Sequence, residues 1–311
     1  MNDMTAKAIE KIRGTVPEER VLRDEPMRRH TSFRIGGPAE ALILVNDEAE
    51  LAAVLGVVTE TGAEHMMIGN GSNLLVSDEG YPGIMIKLAG DFESIARDIA
   101  DPRRVRVGAA VLLSRTSAFL TENGLSGFEF ASGIPGSMGG AVFMNAGAYG
   151  GEIKDVVRSV RVMDPDGTNA REISGEDMDF SYRHSKAQDE SMLILSAEME
   201  LTEDDPAAIA ERVADLAARR NAKQPVMYPS AGSTFKRPVG GYAAALIEQS
   251  GLKGYRVGGA EVSEKHSGFV INTGGATCED VLAVMRHVRE KVYEDSGIML
   301  EPEVRLINCS L

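Results

Sequence analysis

The chain has 311 residues, 43% of them hydrophobic, which is enough to bury a large core divided into two or three units. Its 33 basic and 47 acidic residues give a net charge of −14, which disfavours nucleic acids and anionic membranes as partners. With no apolar run long enough for a membrane span and no signal-peptide pattern at the N-terminus, we expect a soluble cytoplasmic protein without an obligate protein partner.

The first part of the chain predicts a small α/β layer that closes near residue 90. A short helix at 4–13 is followed by a polar, Arg-rich lead-in to His30. Asp47 is expected to cap a helix that reaches about Thr61, because apolar residues follow it at helical spacing. Strands are expected at Ala41–Val45, Met66–Ile68 and Ile84–Leu88.

A glycine-bearing turn, Gly69–Asn73, follows the predicted strand Met66–Ile68. It begins as G-x-G, but Leu74 stands where a dinucleotide fingerprint would have its third glycine. Taken alone, this turn is most simply interpreted as an ordinary loop.

The middle and C-terminal parts predict a strand-rich unit and then a mixed unit. Asp164–Gly167 is a turn signal that starts a hairpin, and Gln224–Pro238 is expected to be irregular. The expected strands are Val105–Ala109, Val156–Met163, Met192–Leu201, Gly268–Asn272 and Met299–Ile307. The expected helices are Leu112–Asn123, Pro206–Asn221, Tyr242–Gln249 and Cys278–Asp295.

Glycine is most concentrated in SGIPGSMGGAVFMNAGAYGG, residues 132–151, where it fills seven of twenty positions. A run of tight turns is one interpretation. The spacing fits neither G-x-G-x-x-G nor a Walker loop, so a Rossmann or P-loop domain is not expected. We interpret the segment as a backbone nest, in which N–H groups unobstructed by Cβ atoms bind phosphate oxygens.

Candidate polar residues lie in two irregular segments. Arg183, in SYRHS, suits a bidentate clamp on a carboxylate, although pairing with a surface acid is equally compatible with the pattern. Ser233 has neither an adjacent His nor a nucleophile elbow, so a hydrolase nucleophile is not expected. As a proton donor it would need only position and neighbouring dipoles. Lys236 and Arg237 suit a phosphate or a carboxylate, although loop cations are commonly only solvated.

The last predicted strand supplies one more candidate. By strand alternation Glu301, Glu303 and Arg305 share a face, and if that face lines a cleft, Glu303 is a candidate acid or orienting group. The two cysteines, Cys278 and Cys309, and the five histidines lack ligand spacing, so no metal site is expected.

Six segments together resemble the family of UDP-N-acetylenolpyruvoylglucosamine reductases, flavoenzymes that make UDP-N-acetylmuramic acid for bacterial peptidoglycan. They occur in the family's order and span nearly the whole chain, which makes the match specific although each alone could arise by chance. They are TSFRIGGPA (31–39), GNGSNLL (69–75), SGIPGSMGGAVFMNAGAYGGE (132–152), SYRHS (181–185), AGSTFKRP (231–238) and LEPEVR (300–305).

The resemblance implies an α+β fold, with a two-part FAD-binding domain of the vanillyl-alcohol-oxidase/PCMH type and a C-terminal α+β substrate-binding domain. We place the two FAD-binding subdomains at 1–90 and 91–204 and the substrate-binding domain at 205–311. FAD is expected to be bound non-covalently. The residues implied for it are Gly69, Asn70, Gly71, Ser72, Asn73, Gly133, Ile134, Gly136, Ser137, Gly140 and Ala141.

The family's reaction implies roles for the other candidates. NADPH reduces the flavin, and flavin N5 then gives hydride to the enolpyruvyl methylene carbon of a UDP-sugar. Ser233 corresponds to the donor that protonates the resulting enolate, and Arg183 and Glu303 correspond to the residues that polarise the carboxylate and stabilise the enolate. Lys236 and Arg237 would lie near the substrate.

The chain departs from some family members in one respect. Between Tyr182 and Tyr228 it has no tyrosine, so it resembles the shorter subtype, which lacks a tyrosine-bearing loop that closes over the substrate. Two rival interpretations are a flavin oxidase of the same fold acting on another alcohol or lactone, and a nucleotide-sugar binding protein without catalysis. The presence of all three catalytic candidates disfavours the second.

Overall fold

The computed structural model describes residues 3–311 and combines α-helices with mostly short strands. The helices are α1 (Asp3–Ile12), α2 (Glu48–Thr61), α3 (Leu113–Glu122), α4 (Met138–Phe143), α5 (Lys186–Asp189), α6 (Pro206–Lys223), α7 (Ala243–Gln249) and α8 (Cys278–Ser296). The strands are β1 (Val21–Pro26), β2 (Pro38–Val45), β3 (His65–Ile68), β4 (Leu74–Val76), β5 (Tyr81–Leu88), β6 (Ile95–Arg97), β7 (Arg104–Gly108), β8 (Leu125–Ser126), β9 (Gly147–Ala148), β10 (Gly151–Glu152), β11 (Val157–Met163), β12 (Arg171–Ser174), β13 (Leu193–Glu200), β14 (Thr202–Glu203), β15 (Arg256–Val257), β16 (Ala260–Val262), β17 (Val270–Asn272) and β18 (Arg305–Ile307).

Local capping signals explain why the predicted helices form where they do. The Asp47 side chain caps α2 by accepting from the N–H of Glu50 at 2.8 Å, and Gly62 ends the helix with φ 68°. Thr277 forms a capping box at the start of α8. The predicted hairpin at Asp164–Gly167 is confirmed, and it joins β11 to the unpredicted β12.

The predicted last strand is wrong in its first half. β18 begins only at Arg305, because the chain bends at Val304 and Pro302 has no N–H to donate to a ladder. Pro302 instead forms an isolated bridge with Phe235. Glu301, Glu303 and Arg305 therefore do not share one regular strand face. The polar, Arg-rich segment before His30, where no strand is predicted, contains β1.

The chain forms two compact units, and the first comprises the residues up to Arg23, Ala41–Asn70 and Gly83–Arg219. Its larger sheet has the antiparallel order β12-β11-β13-β7-β6, and a second sheet has the order β1-β2-β5-β3. Buried apolar side chains of both sheets and of α2, α3 and α4 form a single core. Gly139 packs close within this unit, since a Cβ there would lie 2.9 Å from that of Ala109.

The second compact unit comprises Asp24–Glu40, Gly71–Pro82 and Arg220–Leu311. It holds the antiparallel sheet β15-β16-β17 and the parallel pair β18–β4, and its core is built on α7 and α8. The β18–β4 register sets Arg305 opposite Leu74, which brings the residues after Asn73 beside the C-terminal segment.

Among residues 3–311, no helix is both long enough and apolar enough to cross a membrane. The three-part division at 1–90, 91–204 and 205–311 remains a prediction.

Candidate active site

The turn Gly69–Asn73 presents five consecutive amide N–H groups that have no hydrogen-bond acceptor among residues 3–311. At Gly71, the buried member of the turn, this is unusual, because more than about 90% of buried backbone donors in folded proteins are paired. Gly71 is buried and the other four residues are exposed or half-buried. A row of unpaired N–H groups is the arrangement that binds the oxygens of an anion.

Gly71 is required at its position by two independent features. Its φ is +61°, and a Cβ there would lie 2.0 Å from the carbonyl oxygen of His30. Its own carbonyl accepts from the N–H of Ser32 at 3.2 Å, which fixes the turn against the TSFRIGGPA segment. The nearby backbone of His30 and Ser32 therefore fixes the conformation of the turn and leaves no room for a side chain at position 71.

The glycine segment 132–151 supplies further free amides. In the described part of the chain, the N–H groups of Gly133, Ser137 and Gly140 meet no acceptor. The remaining predicted positions use their amides within the segment and its neighbours: Ile134 donates to Ala131, Gly136 to Ile134 and Ala141 to Ser137. The nest is therefore formed by part of the predicted set.

The two glycine segments meet within the first compact unit. A Cβ on Gly69 would lie 2.7 Å from Oγ of Ser137, and Nδ2 of Asn70 donates to the carbonyl of Pro135 at 3.4 Å. Unpaired amides on both segments fit the diphosphate of a dinucleotide cofactor, because each phosphate offers several acceptor oxygens.

Arg183 lies on a tight turn of the first unit, Ser181–His184, which we call the Arg183 turn. Ser181 and His184 exchange two backbone hydrogen bonds of 3.2 Å. Arg183 itself has φ +57°, a left-handed conformation that costs a residue with a side chain roughly 1–2 kcal/mol. Such strain persists only where surrounding contacts hold it, and it is common at functional sites.

Those contacts come from the C-terminal end of α4, and sequence reasoning missed them. The carbonyl of Phe143 accepts from Oγ of the fully buried Ser185 and from Nε2 of Gln188, both at 2.7 Å. The same Nε2 donates to the carbonyl of Arg183 at 3.0 Å. The buried Asn145 donates to the carbonyl of Ser181 at 3.0 Å.

Charged neighbours of the turn have shifted pKa values. Lys154, 2.8 Å away, is the main cause of a lowered pKa for Glu152, with smaller contributions from the Asn145 hydrogen bond and the Arg183 charge. Asp189, which contacts Nε2 of His184 at 3.0 Å, raises the pKa of that imidazole. Glu152 is therefore ionised at neutral pH, and the charge of Arg183 is one of the contributions that lower its pKa.

In the second compact unit, two predicted catalytic residues are brought to one place by the backbone around Thr234. The N–H of Glu303 donates to the carbonyl of Thr234 at 2.8 Å, and the N–H of Lys236 donates to Glu301 at 2.8 Å. Ser233 directly precedes Thr234, so the segment that carries it is joined to the segment that carries Glu303, and both residues are half-buried. We call this arrangement, residues 233–236 paired with 301–303, the Thr234 junction.

The Thr234 junction also contacts the predicted FAD turn. Nδ2 of Asn73 donates to the carbonyl of Glu303 at 3.1 Å, and the N–H of Arg305 donates to the carbonyl of Asn73 at 2.9 Å. A predicted cofactor residue and a predicted catalytic residue are thus neighbours in the second unit.

The two predicted substrate cations are both exposed. Nζ of Lys236 lies 3.5 Å from the carboxylate of Glu301, and the guanidinium of Arg237 lies 4.4 Å from the ring centroid of Tyr242. An exposed ion pair of this length contributes little to stability, so the pair of Lys236 with Glu301 can open at little cost. Both cations are suitable for an incoming anion.

Comparison with known proteins agrees with this arrangement. The family model for the C-terminal domain of UDP-N-acetylenolpyruvoylglucosamine reductase matches residues 224–307, and the model for an FAD binding domain matches residues 39–171. The first range contains the Thr234 junction and the second contains both glycine segments. The predicted α+β fold, an FAD-binding part followed by a family-specific C-terminal domain, is confirmed.

Whole-chain relatives give the same result. The UDP-N-acetylenolpyruvoylglucosamine reductase of Clostridioides difficile strain 630 is 48% identical over 290 residues, covering 93% of this chain and 94% of that protein. That of Caldanaerobacter subterraneus is 44% identical, covering 96% and 97%. A crystal structure of the Thermus caldophilus reductase superposes with a TM-score of 0.79 at 36% identity, covering 93% of this chain and 99% of that one.

The relatives resemble this chain in sequence as well as in fold, and the sequence similarity covers almost their full lengths. The FAD-binding match falls on segments whose backbone amides fit a diphosphate, so FAD is the cofactor. The chain therefore belongs to the UDP-N-acetylenolpyruvoylglucosamine reductase family and is an FAD-dependent oxidoreductase.

Proposed function

We propose that this chain catalyses the NADPH-dependent reduction of UDP-N-acetylglucosamine enolpyruvate to UDP-N-acetylmuramate, a step of peptidoglycan precursor synthesis. The observation that carries the proposal is the Thr234 junction, where the 2.8 Å bond from the Glu303 N–H to the Thr234 carbonyl joins the segment of Ser233 to the segment of Glu303. A proton donor and a carboxylate supplied by two joined segments suit a substrate that must be protonated after it has gained a hydride.

The first role of the protein is to bind FAD. The unpaired amides of Gly69 and Asn70, together with those of Gly133, Ser137 and Gly140 in the same compact unit, would hold the FAD diphosphate by its oxygens. When bound, FAD supplies the hydride that it has taken from NADPH. The protein's part is to fix the position and electrostatic environment of the reacting carbon.

Three side chains act on the substrate. Arg183 pairs with the carboxylate of the enolpyruvyl group and stabilises the negative charge that spreads onto it. Ser233 donates a proton from Oγ to the carbon next to the carboxylate. Glu303, its neighbour across the junction, orients the reacting group and helps to stabilise the enolate form.

The remaining cations serve binding. The net charge of −14 repels an anionic UDP-sugar at long range, so local positive groups are needed to hold it. Lys236 and Arg237 are exposed at the edge of the Thr234 junction and suit the substrate's diphosphate. They lie in the proposed substrate-binding domain, 205–311.

The test is an anaerobic visible spectrum of the purified protein. NADPH should bleach its yellow colour, and UDP-N-acetylglucosamine enolpyruvate should restore the colour. Pyruvate and simple alcohols are the matched controls and should leave the protein bleached. A colourless protein that ignores added FAD, or one whose colour returns equally with pyruvate, would contradict the proposal.

A further inference from the structure

Asn145 lies in the last part of the glycine segment and has a left-handed backbone conformation, which glycine adopts more readily than asparagine. It follows α4 with φ +42°. Its N–H donates to Val142 at 3.2 Å, and the N–H of Ala146 donates to Ala141 at 2.8 Å. This is the Schellman pattern of helix termination, in which glycine is the usual residue. An asparagine here suggests that the side chain has a use of its own.

The Asn145 side chain is fully buried and uses both ends of its amide. Nδ2 donates to Oε2 of Glu152 and to the carbonyl of Ser181, each at 3.0 Å. Oδ1 accepts from the N–H of Lys154 at 3.0 Å. The acceptors around Nδ2 and the donor at Oδ1 leave one orientation of the amide that satisfies all three bonds.

One of these three bonds joins segments that are far apart in sequence. Ser181 is the first residue of the Arg183 turn, 36 positions from Asn145. Glu152 is the carboxylate that shares its electrostatic environment with Arg183. One amide therefore fixes both the backbone that carries Arg183 and the carboxylate of Glu152, whose pKa the charge of Arg183 helps to lower.

We propose that Asn145 is a positioning residue for Arg183, holding the Arg183 turn and the carboxylate of Glu152 at the end of α4. The proposal rests on the proposed function, because it assigns Arg183 to the substrate carboxylate. Asn145 does not touch the reacting atoms; it acts by keeping the strained φ of +57° at Arg183 in place.

The test uses Asn145→Gly, which keeps the left-handed backbone and removes only the side-chain bonds. Return of the yellow colour with the enolpyruvyl substrate should slow by about 10- to 100-fold, the loss expected from a small misplacement of a catalytic group. FAD content and bleaching by NADPH should stay at wild-type values. The matched control is Asn169→Gly, which has the same left-handed conformation (φ +53°) and also loses a side-chain bond, to Asp164, yet should leave both rates unchanged.

A double-mutant cycle separates positioning from general support. In an Arg183→Ala background, Asn145→Gly should cost no further rate, since there is no guanidinium left to place. An equal loss in both backgrounds would overturn the proposal, as would a parallel fall in FAD content, bleaching and colour return. If Asn145→Gly does not fold, the same cycle is run with Asn145→Asp, which keeps the size and the Lys154 bond but sets an anion against Glu152.

A binding measurement gives a readout independent of turnover. By calorimetry, Asn145→Gly should weaken UDP-N-acetylmuramate, which has the carboxylate, and leave UDP-N-acetylglucosamine, which lacks it, unchanged. Equal weakening of both ligands would contradict positioning through Arg183. If the wild-type protein does not regain its colour with the enolpyruvyl substrate, the proposed function fails; if it does and Asn145→Gly matches it, only this inference fails.

Discussion

The Arg183 turn and the Thr234 junction both position proposed catalytic groups, but by different means. The Arg183 turn is held by buried side chains, those of Asn145, Ser185 and Gln188, and Arg183 keeps a left-handed backbone. The Thr234 junction is held by main-chain bonds, including the 2.8 Å bonds donated by Glu303 and Lys236.

This difference determines how each region can fail. Backbone hydrogen bonds do not depend on the identity of the side chains, so the junction should lose function mainly when a residue that meets the substrate, such as Ser233 or Glu303, is itself changed. A turn held by side chains can lose function through residues that never meet the substrate.

At the Arg183 turn, replacing the catalytic group itself should have the largest effect. Arg183→Ala should slow the return of colour with substrate by about 10²- to 10³-fold, the usual loss when a charge-stabilising donor is removed. Arg158→Ala is a control in the same unit, because Arg158 pairs with Glu198 at 3.4 Å and Glu200 at 3.1 Å and has no proposed role at the site. Equal rates for the two variants in stopped flow would remove Arg183 from the mechanism.

Loosening the turn without touching Arg183 should have an intermediate effect. Ser185→Ala removes the 2.7 Å bond to Phe143, while Gln188 still satisfies that carbonyl. A lost hydrogen bond is worth about 0.5–1.5 kcal/mol, so colour return should slow by at most about tenfold. An unchanged rate, together with an unchanged melting temperature, would show that the turn does not depend on its buried side chains.

The corresponding change at the junction should alter stability and not rate. Thr234 is buried, and its Oγ1 accepts from the N–H of Val270 at 3.0 Å. Thr234→Val leaves that N–H unpaired and should lower the free energy of unfolding by about 1–3 kcal/mol. Both half-reactions should keep wild-type rates, measured on protein saturated with FAD. A slow colour return would mean that the two regions are held alike.

The smallest expected effect is a difference in acid sensitivity. The pKa of Glu152 is lowered from its usual 4.5, chiefly by Lys154, so its contribution to stability is present above that value and is lost as pH falls through the folded-state pKa. Denaturant unfolding of the wild type should therefore weaken more steeply below pH 4.5 than that of Glu152→Gln. Identical pH profiles would show that this carboxylate is not engaged in the folded protein.

Elements with local signals were predictable from the sequence. The Asp47 cap, the Thr277 capping box and the Asp164–Gly167 turn are each decided within a few residues, and each was observed. The last strand was overextended because alternation was followed through Pro302, whose missing N–H breaks the ladder. β1 was not predicted because it lies at the edge of its sheet and its charged residues lack the alternating apolar pattern of a strand.

The site was predictable only in part. Glycine density indicated a nest, but which amides stay unpaired depends on carbonyls such as those of Ala109 and Val111, which come from other segments. The role of Asn145 depends on Ser181, 36 residues later, and a contact between residues so far apart in sequence leaves no periodic pattern from which it could be predicted. The one available signal was an asparagine directly after a short helix, where glycine is usual.

We propose that the side chain of Ser233, carried by the Thr234 junction, protonates the substrate. Stopped-flow spectra of Ser233→Ala test it most directly, with NADPH and then with UDP-N-acetylglucosamine enolpyruvate. Bleaching by NADPH should match the wild type, and colour return should slow by about 10²- to 10⁴-fold, because only that step needs a proton donor. Colour return at the wild-type rate would contradict the claim.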